Sequence, residues 1–170
     1  TNKLQDFREG KHKELWNKKM KDNDIFAGLL DEFIERNKLN DEQVQGFLKG
    51  YGDYRTITGI RESGGDLTAM NVDNPNHTAT GKWQATNANR QTNANRLANM
   101  LNRKGMDIPD WVKQAQKKMT ASEHRNFMQT LNEEEQELLF AAQMFTHKGS
   151  DKLLMNAINS GFDEDSLTDI

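Results

Sequence analysis

The chain has 170 residues, a net charge of −3 and no cysteine. This length allows one domain with a core of its own. The lack of cysteine excludes a disulfide framework and thiolate chemistry, and the near-balanced charge gives no general basic footprint for DNA or RNA. Only 34% of the residues are hydrophobic, with three Trp, eight Phe and eight Met supplying bulk, so we expect a small, polar, mostly helical domain.

No run approaches the roughly 18 apolar residues of a membrane-spanning helix, and no charged segment followed by an apolar core marks a signal peptide. Thr1 is not an initiator methionine, which is consistent with a processed chain or a piece of a longer protein. The basic first 21 residues and the acidic last eight predict solvated helix faces.

Apolar residues at helical spacing predict a first helix over 23–37. Its inner face is formed by Phe26, Leu29, Leu30, Phe33 and Ile34. Asn40 is expected to cap the next helix, which carries Phe47 on its inner face.

Two glycines, Gly50 and Gly52, are expected to end this second helix, and a third helix is expected over 53–63. We therefore predict two regions. Residues 1–50 form a helical region that precedes or packs on the core, and residues 51–170 form the core domain.

Residues 64–83 are rich in Gly, Asp and Asn and lack helical periodicity, which predicts turns and short strands. Further helices are expected at 87–103, after Pro109, after Thr120, from Asn132 to Gly149 and from Ser150 to about Ser160. Leu97, Met100 and Leu101 form the predicted buried stripe of the first of these. The predicted fold class is α+β, predominantly α.

One short repeat stands out, because the sequence TNANR at 86–90 recurs at 92–96. A period of six fits neither a helix nor a solenoid. The repeat predicts either a solvated helix face or a set of side chains that hydrogen-bond a saccharide. A nucleic-acid-binding helical domain is a further alternative, which depends on the basic first 21 residues and on four later basic residues, Arg90, Arg96, Arg103 and Lys104.

Glu62 is the main candidate for chemistry, because it ends a predicted helix just before Gly64 and Gly65. Either glycine can take the left-handed conformation that stops a helix. The carbonyl groups of the last helical turn disfavour a charged carboxylate, and partial burial would disfavour it further. We expect a protonated carboxylic acid that can donate to a glycosidic oxygen. The alternative is an ordinary surface glutamate.

Three segments resemble motifs of one family, the lytic transglycosylases and goose-type lysozymes. The first motif, ESGGDLTAMN at 62–71, resembles the catalytic motif of that family. The second motif, GKWQ at 81–84, and the third motif, NAINSG at 156–161, resemble its two later motifs in order and spacing. The resemblance covers about residues 54–161 and does not extend to residues 1–50.

The resemblance implies a lysozyme-like fold, in which a helical lobe and a small β-hairpin lobe flank a cleft. It implies that Glu62 is the single acid/base at the bond between N-acetylmuramic acid and N-acetylglucosamine in peptidoglycan glycan strands. It implies the substrate-binding residues Ser63, Trp83, Gln84 and Asn159. No cofactor is expected, and the four His form no His-x-x-x-His pair that would suggest zinc.

The sequence departs from the family pattern at two positions. Ile158 replaces the tyrosine whose hydroxyl usually points toward the catalytic site, and Lys82 stands where an apolar residue is commoner. These departures leave a second interpretation open, a non-catalytic virion structural or peptidoglycan-binding protein with the same fold.

A second carboxylate would decide the reaction type, since a hydrolase of this kind uses two. Asp73 is the possible second carboxylate, although an Asx turn also explains it. Asp66 is expected to cap the turn after Glu62. If neither faces Glu62, a group of the sugar itself completes the reaction, as in a lytic transglycosylase that releases a 1,6-anhydro end.

The chain also carries features of a phage virion-associated enzyme, since it is rich in Asn, lacks Cys and shows no signal peptide. A bacterial cell-envelope enzyme fits these features too. The expected partners are peptidoglycan and, for a phage protein, other virion proteins.

Overall fold

The structure, a computed structural model, describes residues 23–70, 78–146 and 154–156. Within these residues the chain is predominantly helical, as the periodicity predicted. The helices are α1 (Asp24–Asn37), α2 (Asp41–Ser63), α3 (Asn87–Arg103), α4 (Asp110–Ala115), α5 (Ala121–Thr130) and α6 (Glu133–Thr146). Residues 154–156 are helical as well. A search of the described helices finds none with the length and apolar character needed to cross a membrane.

The segment between α2 and α3 contains turns and two isolated antiparallel bridges. Thr80 pairs with Met70 in one bridge and with Ala85 in the other. Residues 71–77 lie outside the described part of the chain. The turns expected over 64–83 are confirmed where the structure describes that segment, and the β-hairpin lobe stays a prediction.

The predicted helix break at Gly50 and Gly52 is wrong, because α2 runs without interruption from Asp41 to Ser63. A glycine inside a helix costs only about 1 kcal/mol relative to alanine and keeps the backbone hydrogen bonds. Phe47 and Tyr51 on the same helix are fully buried, and burial of side chains this large is worth roughly 2–3 kcal/mol each. Packing therefore outweighs the propensity of the glycines.

The described residues fall into two compact units. One contains 23–58, 144–146 and 154–156, and the other contains 59–70 and 78–143. The predicted division of the chain into 1–50 and 51–170 stays a prediction.

Side-chain caps fix where most of the helices begin. Asn23 and Thr86 each accept a hydrogen bond from the backbone of the third residue after them, at the starts of α1 and α3. Reciprocal capping boxes join Asn40 with Gln43, Thr120 with Glu123, and Asn132 with Glu135. The cap predicted at Asn40 and the helix starts predicted at Thr120 and Asn132 are confirmed, and each cap satisfies backbone N–H groups that the helix itself cannot.

The core of the first unit is a cluster of aromatic rings from α1, α2 and the end of α6. Its members are Phe26, Phe33, Phe47, Tyr51 and Phe145. The paired rings have centroids 5.3–5.8 Å apart, within the range of favourable aromatic contact. The buried face predicted for the first helix is confirmed at Phe26, Leu29 and Phe33.

The second unit has an aliphatic and methionine core. The stripe predicted on α3 is confirmed, because Leu97, Met100 and Leu101 are fully buried. The short helix α4 packs against α3. The other large members of this core are Val112, Met128, Leu131, Leu138 and Leu139.

Arg90 lies inside this unit with no exposed surface. Its guanidinium donates to the Ala115 carbonyl, to the Lys117 carbonyl at 2.9 Å and to Asn87 Oδ1 at 2.8 Å. The two carbonyls lie at the end of α4 and just beyond it, where the helix leaves acceptors unpaired and favours a positive charge. Both interpretations of the TNANR repeat are therefore wrong for Arg90, which is neither solvated nor free to bind a saccharide.

His124 completes the surroundings of Arg90. Arg90 Nε donates to His124 Nδ1 at 3.1 Å, and His124 Nε2 lies 3.0 Å from the Ala85 carbonyl. Both hydrogen bonds form only when the imidazole is neutral and carries its proton on Nε2. Burial lowers the pKa of His124, and the positive charges of Arg90 and Arg125 lower it further against the opposing effect of the Ala85 carbonyl.

The protein is expected to lose stability as the pH falls below about 6.5, the ordinary pKa of an unfolded histidine. Because the pKa of His124 is lowered in the folded state, the unfolded chain binds one proton more between the two pKa values. The loss therefore begins near the unfolded pKa and is complete below the folded one. Urea unfolding of wild type and His124→Gln at a series of pH values measures it. A pH dependence that is the same in both proteins would contradict the assignment.

Candidate functional site

The first motif begins where α2 ends. The Gly64 N–H donates to the Ile60 carbonyl at 2.8 Å, which closes the last turn. Gly64 and Gly65 then take left-handed conformations with φ of 66° and 86°, as the sequence predicted for one of them. These conformations turn the chain away from the helix axis and leave Glu62 in the final turn.

The side chain of Glu62 is exposed. The partial burial expected for it is therefore wrong. An exposed carboxyl at a helix end is accessible to a large polymer, which a proton donor to a glycan strand requires.

Ser63 joins the first motif to the second. Its hydroxyl donates to the Lys82 carbonyl at 2.6 Å and accepts from the Gly65 N–H at 3.2 Å. The hydroxyl is thus engaged on both sides by the protein backbone. Its observed contacts hold two loops together, and its predicted contact with substrate stays a prediction.

The second motif is a tight turn closed by a pair of backbone hydrogen bonds. Thr80 and Ala85 exchange N–H to carbonyl bonds, both 3.0 Å long, and the Gln84 N–H donates to the Gly81 carbonyl at 3.1 Å. The Gly81 N–H also reaches back to the Ala69 carbonyl at 2.8 Å. The turn is therefore fastened to the first motif by its backbone as well as by Ser63.

Gln84 closes the turn from within. It has a left-handed backbone with φ of 52°, which is uncommon for a residue other than glycine. Its Nε2 donates to the Gly81 carbonyl at 2.8 Å and to the Ala69 carbonyl at 3.1 Å. Both bonds are made to backbone carbonyls of the two motifs, and the sugar contact expected of Gln84 stays a prediction.

Trp83 and Lys82 contact residues of α6, whereas a tryptophan that stacks on a sugar has an exposed ring. The Trp83 ring is only 9% exposed and stacks on Phe140 with centroids 5.5 Å apart. Lys82 Nζ lies 5.1 Å from the centre of the Trp83 ring and pairs with Glu133 in the first turn of α6. The ion pair gives a structural reason for a lysine where the family has an apolar residue. Substrate binding by Trp83 stays a prediction.

Of the two aspartates considered beside Glu62, the structure describes Asp66 but not Asp73. Asp66 Oδ1 accepts from the Thr68 N–H at 2.9 Å and from the Thr68 hydroxyl at 3.0 Å, which confirms that Asp66 caps the turn. Asp73 and Asn159 lie outside the described residues, as does Ile158. Across the described residues no three His, Asp or Glu side chains come close enough together to hold a metal ion.

Gln136 was missed by the sequence analysis. This buried residue of α6 contacts both the first and the second motif through its side-chain amide. A glutamine in the first turns of a polar helix is common, and nothing in its spacing distinguishes it. The one hint in the sequence is Gly81, because a glycine in a turn often marks a place where another group approaches the backbone closely.

Comparison of the chain with protein-family models, with curated proteins and with solved structures found no match. The motifs and the contacts between them are therefore the features that point to a function. Two of the three motifs lie largely within the described residues. They are joined by the Ser63 hydroxyl, which donates to the Lys82 carbonyl, and by the Gly81 N–H, which donates to the Ala69 carbonyl.

Proposed function

We propose that the chain is a peptidoglycan-cleaving glycosidase, most specifically a lytic transglycosylase, with Glu62 as its acid/base. The observation that supports this proposal is the hydrogen bond from Ser63 to the Lys82 carbonyl. It joins the first two motif segments, 19 residues apart in the chain, immediately beside an exposed glutamate. In the resembled family the first of these segments carries the catalytic glutamate, and the second is a later motif of the same site.

The proposed reaction needs one carboxyl group. Glu62 protonates the oxygen that leaves from the bond between N-acetylmuramic acid and N-acetylglucosamine. The resulting carboxylate then takes the proton of the 6-hydroxyl of N-acetylmuramic acid as that oxygen bonds to the anomeric carbon. One glycosidic bond breaks, one intramolecular bond forms, no water is consumed, and Glu62 is protonated again.

The proposal includes the fold and the substrate of the resembled family. These are a lysozyme-like fold with a β-hairpin lobe beside a cleft, and glycan strands as the substrate. The proposal also includes a location, either in a phage virion with other virion proteins as partners or in a bacterial cell envelope. Nucleic-acid binding is not favoured, since Arg90, one of the basic residues on which that alternative depended, is buried.

Digestion of purified peptidoglycan is expected to give products that end in 1,6-anhydro-N-acetylmuramic acid. Mass spectrometry identifies them, because each is lighter by one water molecule than the hydrolytic product. Because the proposed reaction needs no carboxyl group other than that of Glu62, we expect Asp73→Asn to keep most of the activity. Reducing-end products together with loss of activity in Asp73→Asn would instead identify a hydrolase with two carboxylates.

The same digestion separates the enzyme from a non-catalytic protein with this fold. Wild-type protein that sediments with peptidoglycan but releases no fragments would support the binding protein. Release of fragments by wild type, with none from Glu62→Gln, supports the glycosidase.

A further inference from the structure

Gln136 has a fully engaged side chain in the interior of the second unit, where it is only 3% exposed. Its Oε1 accepts from the Lys82 N–H at 2.9 Å, and its Nε2 donates to the Leu67 carbonyl at 2.9 Å. Longer contacts from Nε2 reach the Leu131 carbonyl at 3.3 Å and the Met128 carbonyl at 3.4 Å. Buried amides are held in one orientation by bonds of this kind.

The two short bonds of Gln136 connect the first motif to the second. Leu67 belongs to the first and Lys82 to the second, so one amide spans both. The two residues lie close together: a Cβ atom at Gly81 would lie 2.4 Å from Gln136 Oε1 and would displace the amide, and the φ of 92° at Gly81 also favours glycine. The glycine of the second motif and the glutamine of α6 therefore form one packed arrangement.

The peptide groups of Lys82 are consequently held from two sides. Gln136 binds the N–H of this residue, and the Ser63 hydroxyl binds its carbonyl. Ser63 is next to Glu62 in the last turn of α2. Gln136, Lys82 and Ser63 therefore form a continuous chain of hydrogen bonds that ends at the turn carrying the proposed acid/base.

We propose that Gln136 is a positioning residue of the site, which orients the second motif and, through Ser63, the end of α2 that bears Glu62. It acts without touching the substrate. This inference rests on the proposed glycosidase function for its kinetic consequences. Misplacement of a catalytic group by about 1 Å can reduce a rate by roughly a hundredfold, so support of this kind has a measurable effect.

The kinetic test compares Gln136→Met with Gln143→Met. Methionine has a similar volume to glutamine but cannot form these hydrogen bonds. Gln143 lies on the same helix, where it accepts from Asn93 and not from either motif. For Gln136→Met we expect kcat to fall about ten- to a hundredfold with KM within about threefold, and for Gln143→Met no such change. A kcat within threefold of wild type for folded Gln136→Met would overturn the proposal.

A second variant, Gln136→Glu, tests the hydrogen bonds themselves. A neutral carboxyl at this position can accept from Lys82 and donate to the Leu67 carbonyl, whereas a carboxylate can only accept. Burial next to a carbonyl raises the pKa of such a carboxyl. We expect the ratio of variant to wild-type kcat to rise as the pH falls from about 8 to 5. A ratio that does not change with pH would count against positioning by hydrogen bonds.

Amide hydrogen exchange gives a readout that needs no activity. Loss of the Gln136 bonds is expected to speed exchange at the Lys82 N–H, its direct partner, and at the Gly65 N–H, which donates to Ser63. If wild type leaves peptidoglycan intact, the proposed function fails, and exchange still decides the role of Gln136. Unchanged exchange at both amides in Gln136→Met would overturn that role whatever the activity.

Discussion

Glu62→Gln is expected to reduce the rate of peptidoglycan cleavage by about 10²–10⁴-fold, the usual contribution of general acid–base catalysis. Glutamine keeps the shape of the side chain and can donate a hydrogen bond, but it has no acidic proton to transfer to the leaving oxygen. Because Glu62 is exposed in the last turn of α2, the substitution should leave the free energy of unfolding within about 0.5 kcal/mol. The loss of rate would then reflect chemistry and not unfolding.

Release of soluble fragments from purified peptidoglycan measures this rate. Glu42→Gln is the matched control, because Glu42 is an exposed glutamate in the first turn of the same helix. We expect this control to keep wild-type activity. Activity of Glu62→Gln within about threefold of wild type would remove Glu62 from the catalytic role.

The largest loss of stability is expected from Arg90→Ala. The substitution leaves the Ala115 and Lys117 carbonyls, Asn87 Oδ1 and His124 Nδ1 without the donor that they share. Each buried acceptor left unpaired costs about 1–3 kcal/mol, and the cavity left by the side chain adds to this cost. Since water can enter part of that cavity, we expect a total loss of at least about 3 kcal/mol.

Chemical unfolding of Arg90→Ala and Arg96→Ala tests this expectation. Arg96 occupies the same position in the second copy of TNANR, where it is half-buried and donates to Asn93 Oδ1 at 2.9 Å. We expect its removal to cost about 1 kcal/mol or less. Equal losses for the two variants would show that the burial of Arg90 does not determine its contribution.

The sequence predicted those helix starts, helix ends and buried faces that are determined by residues close together in the chain. The starts at Asn40, Thr120 and Asn132 were predictable because a cap and its partner lie within four residues of one another. The buried stripe at Leu97, Met100 and Leu101 was predictable from its spacing. The end of α2 followed from two adjacent glycines.

The features that the sequence did not predict depend on contacts between distant residues. The identical repeats around Arg90 and Arg96 gave no sign that one arginine is buried, because its carbonyl partners lie 25 and 27 residues away in the chain. Gln136 contacts residues 54 and 69 positions away. The continuity of α2 through Gly50 and Gly52 likewise depends on aromatic packing with other helices.

At the candidate site, the sequence identified the segments but not how their side chains are used. The two motifs do come together, yet the polar groups of Ser63 and Gln84 bond to backbone in the described structure, and Trp83 is largely buried. Motif spacing drew attention to two segments that the structure brings into contact at Ser63 and Lys82. It does not distinguish a residue that contacts substrate from one that supports the loop.

The capped helix starts have a consequence for the unfolded ensemble of this chain. A cap is worth about 1 kcal/mol to a helix even in the absence of tertiary structure, and its partners are close in sequence at α1, α2, α3, α5 and α6. Unfolded molecules are therefore biased toward turns that begin at the native residues. Fewer conformations are lost on folding, which helps a chain with a small hydrophobic fraction reach a unique fold.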